Sequence, residues 1–109
     1  MIDVDMLPAC PVETTLTLIS DKWKILIVRD LLTGTKRFSE LRRSIGHISQ
    51  KVLTSNLRQM EADGLVHRKV YPEVPPRVEY SLTDTGHSLK TVIDALWNWG
   101  EDYKAKLAA

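Results

Sequence analysis

SQKVLTSNLRQMEADGLVHRKVYPEVPPRVEYSLT, residues 49–83, changes its periodicity halfway. Up to Asp63 the apolar side chains follow helical spacing, with Leu53, Leu57 and Met60 at i, i+4 and i+7, a stripe that must face a core. Ser49 supplies an N-cap and Gly64 a stop, so the spacing predicts a helix over residues 49–63. At about 100° per residue the opposite side carries Lys51, Thr54, Ser55 and Arg58, with Gln50 near the first turn and no acid before Glu61. Such a side suits a major groove: small hydroxyls permit close approach, while Arg, Lys and Gln reach base edges or phosphates. An ordinary solvated helix face has the same composition, so its neighbours have to decide.

Directly after Gly64, LVHRKVY alternates as a strand, PEVPP interrupts, and RVEYSL alternates again. That pattern is a hairpin, a wing over residues 65–82. Prolines cannot donate to a ladder, so Pro72, Pro75 and Pro76 belong to the turn or the strand ends, where they stiffen the loop and blunt its edges. Arg77 is expected at that stiffened tip, where its guanidinium would enter a narrow minor groove or hold a phosphate. A hairpin that merely covers the core is the alternative.

Working outward, Ser39 is expected to cap a short helix, SELRRSI, that Gly46 stops before Ser49. Helix, turn, helix and hairpin together make a winged helix-turn-helix, a mainly α fold with a small β-hairpin. Upstream, Pro11 suits the first position of a short helix striped by Val12, Leu16 and Ile19. Asp21 then caps KWKILIVRDLLT, whose Trp23, Ile25, Leu26, Ile27, Val28, Leu31 and Leu32 surround nearly its whole circumference, so it should run through the core until Gly34 ends it. Downstream, Thr83 caps a helix over residues 83–107. Its apolar surface is wider than one core-facing stripe needs. A twofold dimer held by Leu89, Val92, Ile93, Leu96, Trp99 and Tyr103 is the economical expectation, and burial within one chain is the alternative.

Composition bounds the rest. At 109 residues and 43% hydrophobic content the chain is expected to form one domain over residues 1–109. No apolar run approaches a membrane span, and the acids of the first eight residues do not suit a secretory signal, so a soluble, cytoplasmic protein without a membrane partner is expected. Net charge is only +1, but residues 36–69 hold eight bases and three acids between two mildly acidic flanks. A basic middle third is what a phosphate-facing surface requires, and also what a solvated helical surface shows. Enzyme chemistry is not expected: His47, His67 and His87 lie on different elements without a paired acid or nucleophile, and there is no glycine-rich phosphate loop. The single cysteine rules out an internal disulfide and a multi-cysteine zinc site, and neither metal nor cofactor is expected.

CPVETTLTLISDKWKILIVRDLLTGTKRFSELRRSI, ISQKVLTSNLRQMEADGLVHRKVYPEVPPRVEYSLTDTG and the closing LWNWG resemble, in order and spacing, the HxlR-type family of winged helix-turn-helix bacterial transcriptional regulators. The likeness runs from Cys10 to Gly100. It implies a homodimer on double-stranded DNA, with the helix from Ser49 to Asp63 and the wing at Pro72 to Arg77 in contact and the terminal helices pairing two chains. On that basis Arg37, Arg42, Arg43, Ser49, Gln50, Lys51, Thr54, Ser55, Arg58 and Arg77 are the DNA-binding candidates. A winged helix used as a protein-interaction module, without DNA, is the competing expectation.

Cys10 precedes Pro11 at an expected N-cap, where unpaired N–H groups favour oxidation or alkylation of a thiol and the nearby Glu13 opposes it. It is the candidate redox or electrophile sensor, against an incidental cysteine; some members of the family it resembles carry a cysteine here and respond by linking chains. A small-molecule effector would sit between the core and the C-terminal helix, lined by Trp23, Trp97 or Trp99, although aromatic residues there more often serve packing.

Overall fold

The computed structural model describes residues 2–109. After a short 3-10 turn at Val4–Met6, helix α1 runs Pro11–Leu18 with Pro11 in its first turn and Cys10 as N-cap. Helix α2, Lys22–Leu31, opens where the Asp21 carboxylate accepts the Lys24 N–H at 3.0 Å. Ile27, Val28 and Leu31 of α2 are fully buried, while Trp23, Ile25, Leu26 and Leu32 pack around them half-buried.

Strand β1, Lys36–Arg37, feeds straight into helix α3, Phe38–Ile45. The expected cap at Ser39 is therefore corrected. Arg37 is the N-cap, and the Glu40 carboxylate accepts its N–H at 2.8 Å, so Ser39 already lies in the first helical turn. The reason is tertiary: pairing of Lys36 with Tyr80 and Arg37 with Glu79 holds the chain extended up to the helix start. Gly46, at φ 86°, turns the chain out of α3 in a conformation that L side chains rarely adopt. Helix α4, Gln50–Ala62, begins where Ser49 Oγ accepts the Val52 N–H at 3.1 Å.

Strands β2, Val66–Tyr71, and β3, Arg77–Leu82, form the hairpin, in register from Val66 opposite Leu82 to Tyr71 opposite Arg77. All three prolines of the region thus fall in the loop, as their missing N–H groups require. The sheet has three strands rather than two, in the order β1-β3-β2, because the two-residue β1 adds to the free edge of β3. Two residues are too short a run to show alternation.

The C-terminal segment departs from the continuous helix expected over residues 83–107. It is α5, Asp84–Ser88, then α6, Lys90–Ala108, with Leu89 between them at ψ −5°. Ser88 and Thr91 turn their hydroxyls onto the carbonyls of Thr85 and Ser88, local bonds of the kind that bend helices. Thr83 ties this segment to the hairpin: its Oγ1 donates to the Gly64 carbonyl at 2.6 Å and accepts the Gly86 N–H at 3.0 Å. Gly86 is packed so closely that a Cβ there would collide with the Leu65 carbonyl. The core gathers Ile27, Leu31, Leu41, Leu53, Leu57, Met60 and Leu65, all but sealed from solvent. It lies under α4 and leaves that helix's other side outward.

Candidate nucleic-acid interface

Leu53, Leu57 and Met60 are 0%, 2% and 0% exposed, so α4 is anchored by the stripe its spacing prescribes. Asn56, also buried, donates from Nδ2 to the Val52 carbonyl at 2.9 Å. The opposite side presents Gln50, Lys51, Ser55 and Arg58 to solvent with Thr54 half-exposed between them. Together with Gln59 and Ala62 they line one shallow depression along the helix.

A second depression joins that helix to the wing. Gln50, Thr54 and Arg58 of α4 form one wall, and Arg68, Val78 and Tyr80 of the hairpin form another, with Phe38 of α3 between. Helix face and hairpin therefore open on the same side of the molecule. Arg68 was not singled out as a contact residue in the sequence, although alternation along β2 places Val66, Arg68 and Val70 on one face of the sheet. Tyr80, directly opposite Arg68, completes the wall.

Arg42 and Arg43 are exposed in the last turn of α3, and Arg37 is exposed at its start. Arg77 differs from expectation. It is not at the loop tip but at the first position of β3, with its guanidinium 4.0 Å from the Tyr71 ring centroid and its side chain only 29% exposed. Glu73 lies 3.3 Å from Nη2 and Glu79 3.8 Å from Nε. Two carboxylates and an aromatic ring draw the arginine back: Glu79 two positions along the same face of β3, Tyr71 directly opposite, and Glu73 from the loop.

The residues expected at a dimer contact divide. Leu89 and Ile93 are 8% and 9% exposed and belong to the chain's own core, so their assignment to a partner-facing surface is corrected. Leu89 lies at the junction of α5 and α6, and both residues join the core cluster that includes Ile27, Val28 and Leu31 of α2. Val92 is half-buried at the margin. Leu96, Trp99 and Tyr103 stand 53%, 69% and 48% exposed along one side of α6, and Trp99 stacks on Tyr103 with ring centroids 5.2 Å apart. Helix α1 buries none of its residues; Val12 and Leu16 are exposed. These two residues, with Ile25, Val92 and Leu96, line an apolar groove between α1, α2 and α6. The expected tryptophan-lined pocket is not what forms there, since the groove is aliphatic and Trp97 and Trp99 point to solvent.

Cys10 is exposed at the start of α1, with no side-chain bond to the helix N–H groups. Among the described residues, no group of three or more His, Cys, Asp or Glu could hold a metal ion, and no helix is long and apolar enough to cross a membrane.

Comparisons agree with this geometry. The HxlR-like helix-turn-helix model matches residues 18–108. The HTH-type transcriptional regulator YdeP of Bacillus subtilis is 48% identical over 103 residues, spanning 94% of this chain and 80% of the relative. Among solved structures, the putative HTH-type transcriptional regulator ytcD superposes with a TM-score of 0.84 at 47% identity, over 88% of this chain and 98% of that one. The redox regulator HypR in its oxidized form superposes with a TM-score of 0.81 at 49% identity, over 85% of this chain and 96% of that one.

Proposed function

Because the chain belongs to the HxlR-like helix-turn-helix family of transcriptional regulators, we propose that it binds DNA sequence-specifically as a homodimer, all of residues 1–109 acting as one winged-helix unit in each protomer. In this reading α4 enters the major groove. Gln50, Lys51 and Arg58 reach base edges or phosphates, Thr54 and Ser55 allow close approach, and Ser49, Arg37, Arg42 and Arg43 contact the backbone. The wing lies on the adjacent minor groove or backbone through Arg77. The observation that carries it is the exposed cationic and hydroxyl side of α4 sharing one cleft with the hairpin. A protein-interaction module has no need of that conjunction.

Pairing of two chains through α1 and α6 accounts for the exposed Leu96, Trp99, Tyr103 and Leu107, and for the groove beside Val12 and Leu16. Two units about 34 Å apart read successive major grooves on one side of a duplex, which multiplies the sequence information of a single helix. Retention on heparin and gel shifts over a salt series test the whole reading. Phosphate contacts release counterions, so affinity must fall steeply as salt rises; salt-insensitive or absent binding favours the interaction module.

Cys10 supports a second layer, regulation by oxidants or electrophiles. Its thiol is exposed at a helix start, and HypR, which this chain resembles, is described as a redox regulator. Operator affinity of the wild type and Cys10→Ser, before and after diamide, decides it: an equal response in both proteins rejects the sensor.

A further inference from the structure

Arg77 is held by partners of two kinds. Glu79 sits on β3 with its side chain 26% exposed, opposite Lys69 on one neighbouring strand and Arg37 on the other. Glu73 belongs to the loop between the strands, has its side chain 51% exposed, and touches only the outer edge of the guanidinium. Neither contact is tight. At 3.3 Å and 3.8 Å both exceed the roughly 2.7–2.9 Å of a charge-assisted hydrogen bond, and the buried Nε takes no hydrogen bond among the described residues. Stacking on Tyr71, rather than a fork of hydrogen bonds, keeps the group in place.

The surroundings point outward. A depression between the wing loop and the start of α3 is lined by Arg37, Phe38 and Ser39 on one side and by Glu73, Pro75 and Arg77 on the other. Glu73 is the only acid among its lining residues. A phosphate seated there meets two guanidinium groups, whose planar forks match its oxygens better than a single loose carboxylate matches Arg77.

We propose that Glu73 is a displaceable counter-charge that sets the wing's affinity for the nucleic-acid backbone: in the free protein its carboxylate occupies the edge of Arg77 that a DNA phosphate takes on binding. The proposal rests on the DNA-binding reading above. Glu73 is a positioning residue, exposed on a loop, and its replacement leaves the core untouched.

The test titrates a labelled mixed-sequence duplex with wild type, Glu73→Gln, Glu73→Asp, Arg77→Ala and Glu73→Gln in the Arg77→Ala background, at low and at near-physiological salt. Glu73→Gln is expected to bind roughly two- to fivefold tighter than wild type at low salt, with the gain fading as salt rises. Glu73→Asp, which keeps the charge but shortens its reach, shows part of the gain. In the Arg77→Ala background the gain disappears. A gain that persists without Arg77, or that appears in Glu73→Gln but not at all in Glu73→Asp, is a long-range charge effect and overturns the proposal. Duplex binding with no gain in either variant overturns it too, whereas a wild type that does not bind the duplex removes the DNA-binding reading itself.

Discussion

Arg58→Ala tests the exposed side of α4 that is proposed to enter the groove. Arg58 is exposed, lines both the depression along α4 and the cleft against the wing, and has no ion-pair partner among the described residues. Its charge is therefore unspent in the free protein, and truncation removes nothing that holds the fold. One lost contact costs about 1–3 kcal/mol, or about 5- to 150-fold in affinity. A homodimer carries the change twice, so about 2–6 kcal/mol is expected if the two sites act independently. If the contact is to phosphate, the slope of log affinity against log salt becomes shallower by about 1.8 for two contacts. If it is to a base edge, the slope stays and discrimination at one operator position relaxes. Fluorescence anisotropy over a potassium chloride series, on the selected operator and on a mixed-sequence duplex, separates these cases. Thermal unfolding should match the wild type. Unchanged affinity and slope in Arg58→Ala combined with Arg77→Ala would show that this side is merely solvated, and the docking geometry would have to be abandoned.

Ser49→Ala should lower stability by about 1 kcal/mol through loss of the cap on Val52, whereas Ser49→Asp keeps the cap and the stability but weakens DNA binding by placing a negative charge at the backbone; denaturant melts beside gel shifts check both. Gly86→Ala forces a Cβ against the Leu65 carbonyl and should cost about 1–3 kcal/mol, seen as a melting temperature lower by about 4 °C or more, even though alanine favours a helix. Leu96→Asp with Trp99→Asp alters only exposed positions of α6, so the variant should remain folded; on the proposed homodimer it should sediment as a monomer beside a dimeric wild type, with operator affinity reduced at least tenfold, and a wild type that sediments as a monomer rejects the pairing.

Much of the candidate site's geometry was legible in the sequence because it is local. The Ser49 cap and the stripe of Leu53, Leu57 and Met60 sit within four turns of one helix, and once that stripe is assigned to the core, helical geometry alone turns Lys51, Thr54, Ser55 and Arg58 outward. Pro72, Pro75 and Pro76 mark the loop for an equally local reason, the missing N–H. The start of α3 misled because a good N-cap residue, Ser39, was outweighed by strand pairing of Arg37 with Glu79, forty-two positions away. Leu89 and Leu96 both read as members of one broad apolar helix. In the fold the first lies in the core and the second outside it, a difference that helical spacing does not show, since seven residues return to nearly the same side of a helix.

The order of helices, the hairpin and the chemistry of the α4 face were determined by the sequence alone, since caps, stops and periodicity act within a few residues of themselves. Contacts between residues far apart in the chain decided the short third strand and the close approach of Gly86 to Leu65, while the balance of charge at Arg77 was set by side chains within six positions of it, Tyr71, Glu73 and Glu79, once the hairpin had formed. A side chain's polarity is written in its own letter, but whether its charge is free or already balanced depends on which neighbours folding brings within a few ångströms.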